Sequence, residues 1–332
     1  MIQETLKSNR IERVDNVIHI ADVHIRNFKR HDEYESVFNR VYDYCKEQVQ
    51  QDKNTIIYLA GDIVHAKTDM SPELIVMTRN FFVNLVEIAP VILIAGNHDM
   101  NLNNRNRLDA LSPIVESIDT PDFFYLKDTG VYNLGGVNFI LNAVHEDPDS
   151  FIKSEDVVGD EIKVVFYHGS IDNANIGFGQ TIRNNRVNIG MFNGFDFGMF
   201  GDIHSFQYLD GGARFAYAGS LIQQNFGEGL THGLVHWNLR EGKSKFIPIK
   251  NDWAYYTIDI ENGKFKDLPE EFSSNNRVRV RSYNTKNSDL MKAITKLKSI
   301  AKIEDIRIQK FSSNHSVGSN QSTISIGDVR DV

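Results

Sequence analysis

The chain has one cysteine, Cys45, among 332 residues, which excludes an internal disulfide and any structural zinc site built on several thiolates. Tyr34, Phe38, Val41 and Val49 recur around it at helical spacing, so the thiol is expected to be buried. No uninterrupted apolar run approaches the roughly 18 residues of a membrane span. Met1 to Val14 is polar and mixed in charge, unlike a signal peptide. A cytoplasmic location with no membrane partner is expected. An excess of positive charge is missing as well: the formal net charge is −8, which argues against a chain-wide electrostatic grip on nucleic acid. The deficit is uneven, because from Asn251 onward 13 Lys and Arg face 11 Asp and Glu, and the whole negative excess lies earlier. Bound cations could neutralise acidic residues there, so a phosphate-bearing substrate stays open. There is no internal repeat. A hydrophobic content of 41% with 24% charged residues places the chain among globular proteins, long enough for a large core and two domains.

What the chain does have is a set of short apolar strands that stop at polar residues. Val91 to Ile94 is bounded by Pro90 and runs into Gly96-Asn97-His98-Asp99. Such a run suits a strand covered on both faces, as in parallel sheets. Asn16 to Ile20 leads to Asp22 and His24, and Thr55 to Leu59 to Gly61-Asp62. Val164 to Tyr167 leads to His168, and Phe197 to Phe200 to Gly201-Asp202-Ile203-His204. Helices are expected over His31 to Gln51, from Ser71-Pro72 to about Ile88, and over Arg105 to Ile118, the last interrupted at Pro113. Strand-led units joined by helices make a layered α/β domain with a parallel centre. Phe215 to Ser220, His232 to Asn238 and Lys245 to Ile249 read as strands of a second sheet. The pattern changes at Trp253. Alternating strands over Tyr255 to Ile260, Arg277 to Arg281 and Ile306 to Gln309, with a helix marked by Leu290, Ile294 and Leu297, make a small α+β unit. The expected division is 1–250, 251–311 and a Ser/Asn/Gly-rich tail at 312–332 that reads as a flexible segment toward a partner.

Active groups in open α/β sheets sit beyond the carboxyl ends of the strands. Any one loop Asp or His is ordinarily just solvated, but five strands ending in such residues would bring them to one edge. Carboxylate, imidazole and amide groups without thiolates suit Mn²⁺, Fe²⁺ or Zn²⁺.

The series Asp22-x-His24, Gly61-Asp62, Gly96-Asn97-His98-Asp99, His168 and Gly201-Asp202-x-His204 resembles the calcineurin-like metallophosphoesterase signature. Within that superfamily, Gly219 to Glu228 is similar to the corresponding segment of the SbcD type, the nuclease subunit of the SbcC/SbcD double-strand-break repair complex, with phage and archaeal relatives. The resemblance implies a two-sheet sandwich flanked by helices, with a small α+β capping domain that faces DNA. It implies two divalent metal ions, Mn²⁺ or else Mg²⁺. Asp22, His24, Asp62 and His204 would hold one; Asp62, Asn97, His168 and Asp202 would hold the other, with Asp62 bridging. His98 would meet the phosphate and Asp99 would orient its ring. The family has a histidine where this chain has Asp202, which still suits a hard divalent ion. The implied activity is a DNA exonuclease, and an endonuclease too, in repair or recombination, working with an SbcC-type ATPase as a homodimer in a bacterial or phage-infected cell. Alternatives are a phosphatase or cyclic-nucleotide phosphodiesterase of the same superfamily, and a non-catalytic binding module on this scaffold.

Candidate DNA contacts are Arg26, Lys29 and Arg30 after the first motif, and Asn103, Asn104, Arg105 and Arg107 after the third. Arg277, Arg279 and Arg281 alternate along one strand, so all three should project from one face toward phosphates. Each set has a plainer reading as a solvated loop or a charge-protected edge strand.

Overall fold

The computed structural model describes residues 2–104, 106–177 and 179–311, together with the backbone of Thr323–Ile326. The chain parts into two compact units. The first comprises Met1–Gln224 and Thr231–Lys250, the second Asn225–Leu230 and Asn251–Val332.

The first unit is an α/β sandwich. One sheet has six strands in the order Lys243–Pro248, Gly233–Asn238, Asn16–Ile20, Thr55–Ala60, Val91–Ile94 and Phe123–Leu126. The four strands from Asn16–Ile20 to Phe123–Leu126 run parallel, and all residues of the first three are buried. This is why those segments read as unbroken apolar runs rather than alternating ones. The second sheet has seven strands, with Val137–Asn142, Ile162–His168 and Phe197–Gly201 at its centre. Val17, Ile56, Tyr58 and Ile92 of the first sheet meet Phe139, Phe166 and Met199 of the second in the core between them. The Tyr58 and Phe166 rings stack at 3.7 Å.

Helices cover the outer face of the six-stranded sheet. Helix α1 (His31–Gln51) buries Tyr34, Val37, Phe38, Val41 and Cys45, the spacing that marked Cys45 as a core thiol. Helix α2 (Pro72–Ile88) starts where Ser71 Oγ accepts from the Leu74 amide at 3.3 Å, with Pro72 in the first turn. The helix expected over 105–118 contracts to one turn, α3 (Ser112–Val115). The restart falls at Pro113, which stands in the first turn, and Asp109 Oδ1 accepts from the Leu111 and Ser112 amides just before it at 2.9 and 2.7 Å. That capping fixes the start of the turn, and the residues before it stay in a loop. Residue 105 lies outside the described residues.

The second unit is a five-stranded sheet in the order Lys264–Phe265, Trp253–Glu261, Asn275–Tyr283, Ile303–Phe311 and Thr323–Ile326. Helix α4 (Asn287–Ile300) packs Leu290, Ala293, Ile294 and Leu297 on Tyr256, Ile258, Val278, Val280, Ile306 and Ile308. The strands alternate buried and half-exposed residues, as a sheet covered on one face does. The expected tail at 312–332 lies outside the described residues apart from the backbone of Thr323–Ile326.

Candidate metal centre

The motif residues stand where parallel strands end. Asp22 follows Asn16–Ile20, Asp62 follows Thr55–Ala60, Asn97 to Asp99 follow Val91–Ile94, His168 ends Ile162–His168, and Asp202 follows Phe197–Gly201. The turns beyond the first two strands run side by side, with the Asp22 amide donating to the Gly61 carbonyl at 3.2 Å and the His24 amide to the Asp62 carbonyl at 2.9 Å. Asp22, His24, Asp62 and Asp202 have φ of 51°, 50°, 52° and 100°, left-handed backbone that costs energy outside glycine. Gly61 sits between these turns with φ 84°; a Cβ there would lie 2.6 Å from Gly96 N and 2.7 Å from His168 Nδ1. The glycine is what lets three motifs close on one point.

Three overlapping groups result: Asp22 with His24 and His204, Asp22 with Asp62 and His168, and His24 with His65 and His98, the ligand atoms of each within 4.8 Å of one another. His24 Nε2 and His204 Nε2 face each other at 3.0 Å. Asp62 spans the first two groups, with Oδ2 3.5 Å from His24 Nε2 and Oδ1 3.4 Å from His168 Nε2. Asn97 Oδ1 lies 3.0 Å from His168 Nε2. The Nδ1 proton of His168 is donated to the Ala60 carbonyl at 2.6 Å, which leaves Nε2 as the coordinating atom.

The electrostatics of the bare residues call for a cation. Burial pushes the Asp22 carboxyl up to about 7, against His168 and His204, and pushes His24 well below the usual imidazole range. Burial also opposes charge on Asp62, but His168, with His24 and His98, brings that carboxyl well below the usual range. Two imidazole nitrogens aimed at each other beside two buried carboxylates are a donor set of hard oxygens and borderline nitrogens. They fit a pair of divalent ions.

Other expected residues are placed differently. The Asp99 carboxylate is fully buried and does not touch His98; it accepts from the amides of Gly96 at 2.9 Å, Val64 at 3.0 Å and Ile63 at 3.3 Å. It ties the Asp62 turn to the Asn97 turn. The His98 ring is oriented instead by the His65 carbonyl, 2.6 Å from Nδ1, so Nε2 is the nitrogen left for a ligand. Asp202 joins none of the three groups among the described residues. Its carboxylate accepts from Ser170 Oγ at 2.7 Å, and its amide donates to Asp22 Oδ1 at 3.0 Å.

His65 was missed by sequence reading. It lies three residues past Asp62 in the same turn, half-buried, and Arg26 Nη1 donates to its Nε2 at 3.1 Å. Burial and the Arg26 charge push it down to about 4, so it is neutral at pH 7. The Asp-x-x-His spacing was its one signal, and nothing in the sequence separated it from a solvated loop histidine.

Of the candidate DNA contacts, Lys29, Asn103, Asn104 and Arg107 are exposed. Arg30 is not available: its side chain is 4% exposed and held by Glu33 at 2.8 and 2.9 Å and by the Gln223 carbonyl at 2.7 Å. Arg105 lies outside the described residues. Arg277, Arg279 and Arg281 share the sheet face turned away from α4, and each is engaged. Arg277 lies over Tyr255 at 5.2 Å and near Glu304 at 3.6 Å. Arg279 lies over Phe226 at 5.1 Å and donates to Thr257 Oγ1 at 2.8 Å. Arg281 pairs with both oxygens of Asp259 at 2.6 and 2.8 Å.

The calcineurin-like phosphoesterase family model matches residues 16–206. An uncharacterized protein of Acanthamoeba polyphaga mimivirus is 39% identical over 312 residues, which are 91% of this chain and 23% of that protein. The chain thus spans less than a quarter of that relative's length. A putative phosphoesterase of Invertebrate iridescent virus 6 is 22% identical over 246 residues, covering 71% of this chain and 84% of that one. The crystal structure of a Pseudomonas putida nuclease, MPE, aligns with 45% of this chain and 59% of its own, at 19% identity and a TM-score of 0.27.

Proposed function

We propose that this chain, which belongs to the calcineurin-like phosphoesterase family, is a two-metal DNA nuclease of the SbcD type. The observation that carries the reading is the meeting of Asp22, His24, Asp62, His168 and His204 at one sheet edge in overlapping groups. Asp22, His24, Asp62 and His204 hold one ion. Asp62, Asn97 and His168 hold the second, with Asp22 in reach of both. Held there, a pair of divalent ions would supply an activated water and charge neutralisation for a phosphodiester. The chain's own part is positioning. The Ala60 carbonyl fixes His168, Asp99 locks the two turns together, and His98, whose Nδ1 proton goes to the His65 carbonyl, would give a proton to the leaving oxygen from Nε2 in its imidazolium form. The His65 ring lies 5.6 Å from that imidazole, and Arg26 donates to His65 at 3.1 Å, so a guanidinium charge stands one residue behind the site.

The choice of DNA as substrate and of an SbcC-type ATPase as partner rests on the likeness of Gly219 to Glu228 to the SbcD segment and on the second, separately folded unit as a capping domain. Lys29, Asn103, Asn104 and Arg107 are the exposed side chains proposed to meet the DNA backbone. Homodimerisation is proposed through α2 and the loop before α3, where Val76, Leu102 and Leu108 are 55%, 42% and 64% exposed. Among the described residues no helix is long and apolar enough to cross a membrane.

The deciding experiment is an assay of the purified chain on single- and double-stranded DNA with Mn²⁺ and with Mg²⁺, alongside a generic phosphomonoester. Metal-dependent DNA hydrolysis is expected. Hydrolysis of the monoester alone would make the chain a phosphatase, and turnover of neither would make it a binding module.

A further inference from the structure

A cavity of about 550 Å³ opens on the outer face of the six-stranded sheet, between the C-terminal half of α1 and the Gly233–Asn238 and Lys243–Pro248 hairpin. It lies at the opposite end of the strands from the metal centre. Asn16, which lines it, begins the strand that leads to Asp22, and five residues of strand separate those ends by roughly 16 Å. None of the metal-centre residues lines it.

Register builds its chemistry. His236 pairs with Lys245 and Asn238 with Lys243 across the hairpin, so all four side chains share the face turned to α1. The Tyr44 hydroxyl lies 2.7 Å from His236 Nδ1. Burial holds His236 below the usual imidazole range and pushes the Tyr44 phenol well up. Both groups are thus neutral at pH 7, and the tautomer in which Nδ1 accepts from the hydroxyl carries its ring proton on Nε2. No group of the described residues accepts that proton. Lys245 has no ion pair among the described residues, and Lys243 has only the exposed Glu241 carboxylate at 2.9 Å. Gln48 and Gln51 of α1 form the facing wall. Asp52 is the carboxylate in the lining, and its oxygens are taken by Asn16 Nδ2 at 2.8 Å and the Asn54 amide at 2.9 Å.

We infer that this cavity binds a free nucleoside monophosphate, its phosphate held by Lys245, Lys243 and the Nε2 proton of His236 and its base met by the amides of Gln48 and Gln51. Two donors without a partner among the described residues, Lys245 and His236 Nε2, beside Lys243, whose one ion pair is with the exposed Glu241, suit a phosphate dianion. Amide side chains, each both donor and acceptor, suit the mixed edge of a base. The volume is that of a small-molecule site, for which about 300 to 1,000 Å³ is usual. The inference stands apart from the nuclease reading, since it concerns binding alone at a different place.

The test is calorimetric titration of the full chain, in chelator so that the metal centre takes no part, with a panel of purine and pyrimidine nucleoside monophosphates and with inorganic phosphate. One nucleotide should bind per chain, more tightly than phosphate. Lys245→Ala, a change at an exposed position, should weaken it about tenfold or more, the usual effect of losing a charge-assisted hydrogen bond, and leave metal-dependent hydrolysis unchanged. Tyr44→Phe should weaken it too and shift the His236 proton toward Nδ1 in nitrogen NMR. No binding by any member of the panel, or equal binding by wild type and Lys245→Ala, overturns the site. Phosphate binding as tightly as the nucleotide overturns the recognition of a base.

Discussion

His19 makes this fold sensitive to acid from within. It lies on the central Asn16–Ile20 strand, fully buried between the sheets, 5.1 Å from the Tyr58 ring and 6.3 Å from the Trp237 ring. Neither ring nitrogen makes a hydrogen bond of normal geometry, although the nearby Phe200 backbone partly favours a proton there. Burial dominates and pushes the imidazole from 6.5 down to about 3. Between those values the unfolded chain binds a proton that the folded chain refuses. Stability is therefore fully present above about 6.5 and is lost as the pH falls, at about 1.4 kcal/mol per pH unit. At pH 5 the loss attributable to His19 is about 2 kcal/mol, a large part of a typical stability. The perturbation is His19→Phe, which keeps an aromatic ring against Tyr58 and cannot be protonated. Urea unfolding of both proteins at pH 7.5 and pH 5, in chelator, gives the difference directly, because the other titrating groups cancel between the two. The gap between variant and wild type should move by about 2 kcal/mol in favour of the variant at pH 5. If the two stabilities fall in parallel, His19 is hydrated or paired in solution and the reasoning fails.

Four further outcomes are expected. Asp99→Ala strips the acceptor from three backbone amides, each worth about 1 to 3 kcal/mol when buried and unpaired; chelator-treated protein should lose several kcal/mol in urea unfolding, and unchanged stability would contradict the role as a tie between turns. His98→Ala should bind metal with wild-type stoichiometry in calorimetry yet show no turnover, and loss of a metal would make His98 a ligand. Asp202→Asn should keep both metals, because the carboxylate rests on Ser170 and the bond to Asp22 comes from the backbone; loss of one ion equivalent would return Asp202 to the ligand set. In DNA binding, Lys29→Ala with Arg107→Ala should reduce the slope of log K against log salt by about 2, whereas the Arg277, Arg279 and Arg281 triple alanine variant should leave it nearly unchanged. The reverse pattern would move the contact to the second unit.

The strands that deliver the site were legible because burial on both faces leaves an unmistakable apolar run, and the motif residues interrupt those runs abruptly. Asp22, His24, Asp62, His168 and His204 could therefore be named from the chain alone, as could the capped start of α2 and the covered face of α4. The start of α3 was partly legible, since Pro113 marks a restart and stands in its first turn; the loop before it was not, because Leu108, Leu111 and Ile114 have helical spacing and the Asp109 carboxylate that holds the Leu111 and Ser112 amides leaves no periodic signal. Arg277, Arg279 and Arg281 illustrate the same limit. Alternation placed them correctly on one face, but whether a guanidinium is free depends on Tyr255, Phe226, Thr257 and Asp259, contributed by other segments.

The sequence by itself determined the layered α/β class, the strand tips and the residue types that meet there, because periodicity and the chemistry of side chains are local properties. Only the tertiary structure decided what each polar group does. It turned Asp99 from a partner of His98 into a clasp between two turns and gave the orientation of His98 to the His65 carbonyl. It drew Asp202 aside to Ser170 and brought His65 and Arg26 into the site. Hydrogen-bond partners are chosen by three-dimensional proximity, and His24 and His204 meet from 180 residues apart, a distance across which no local pattern carries information.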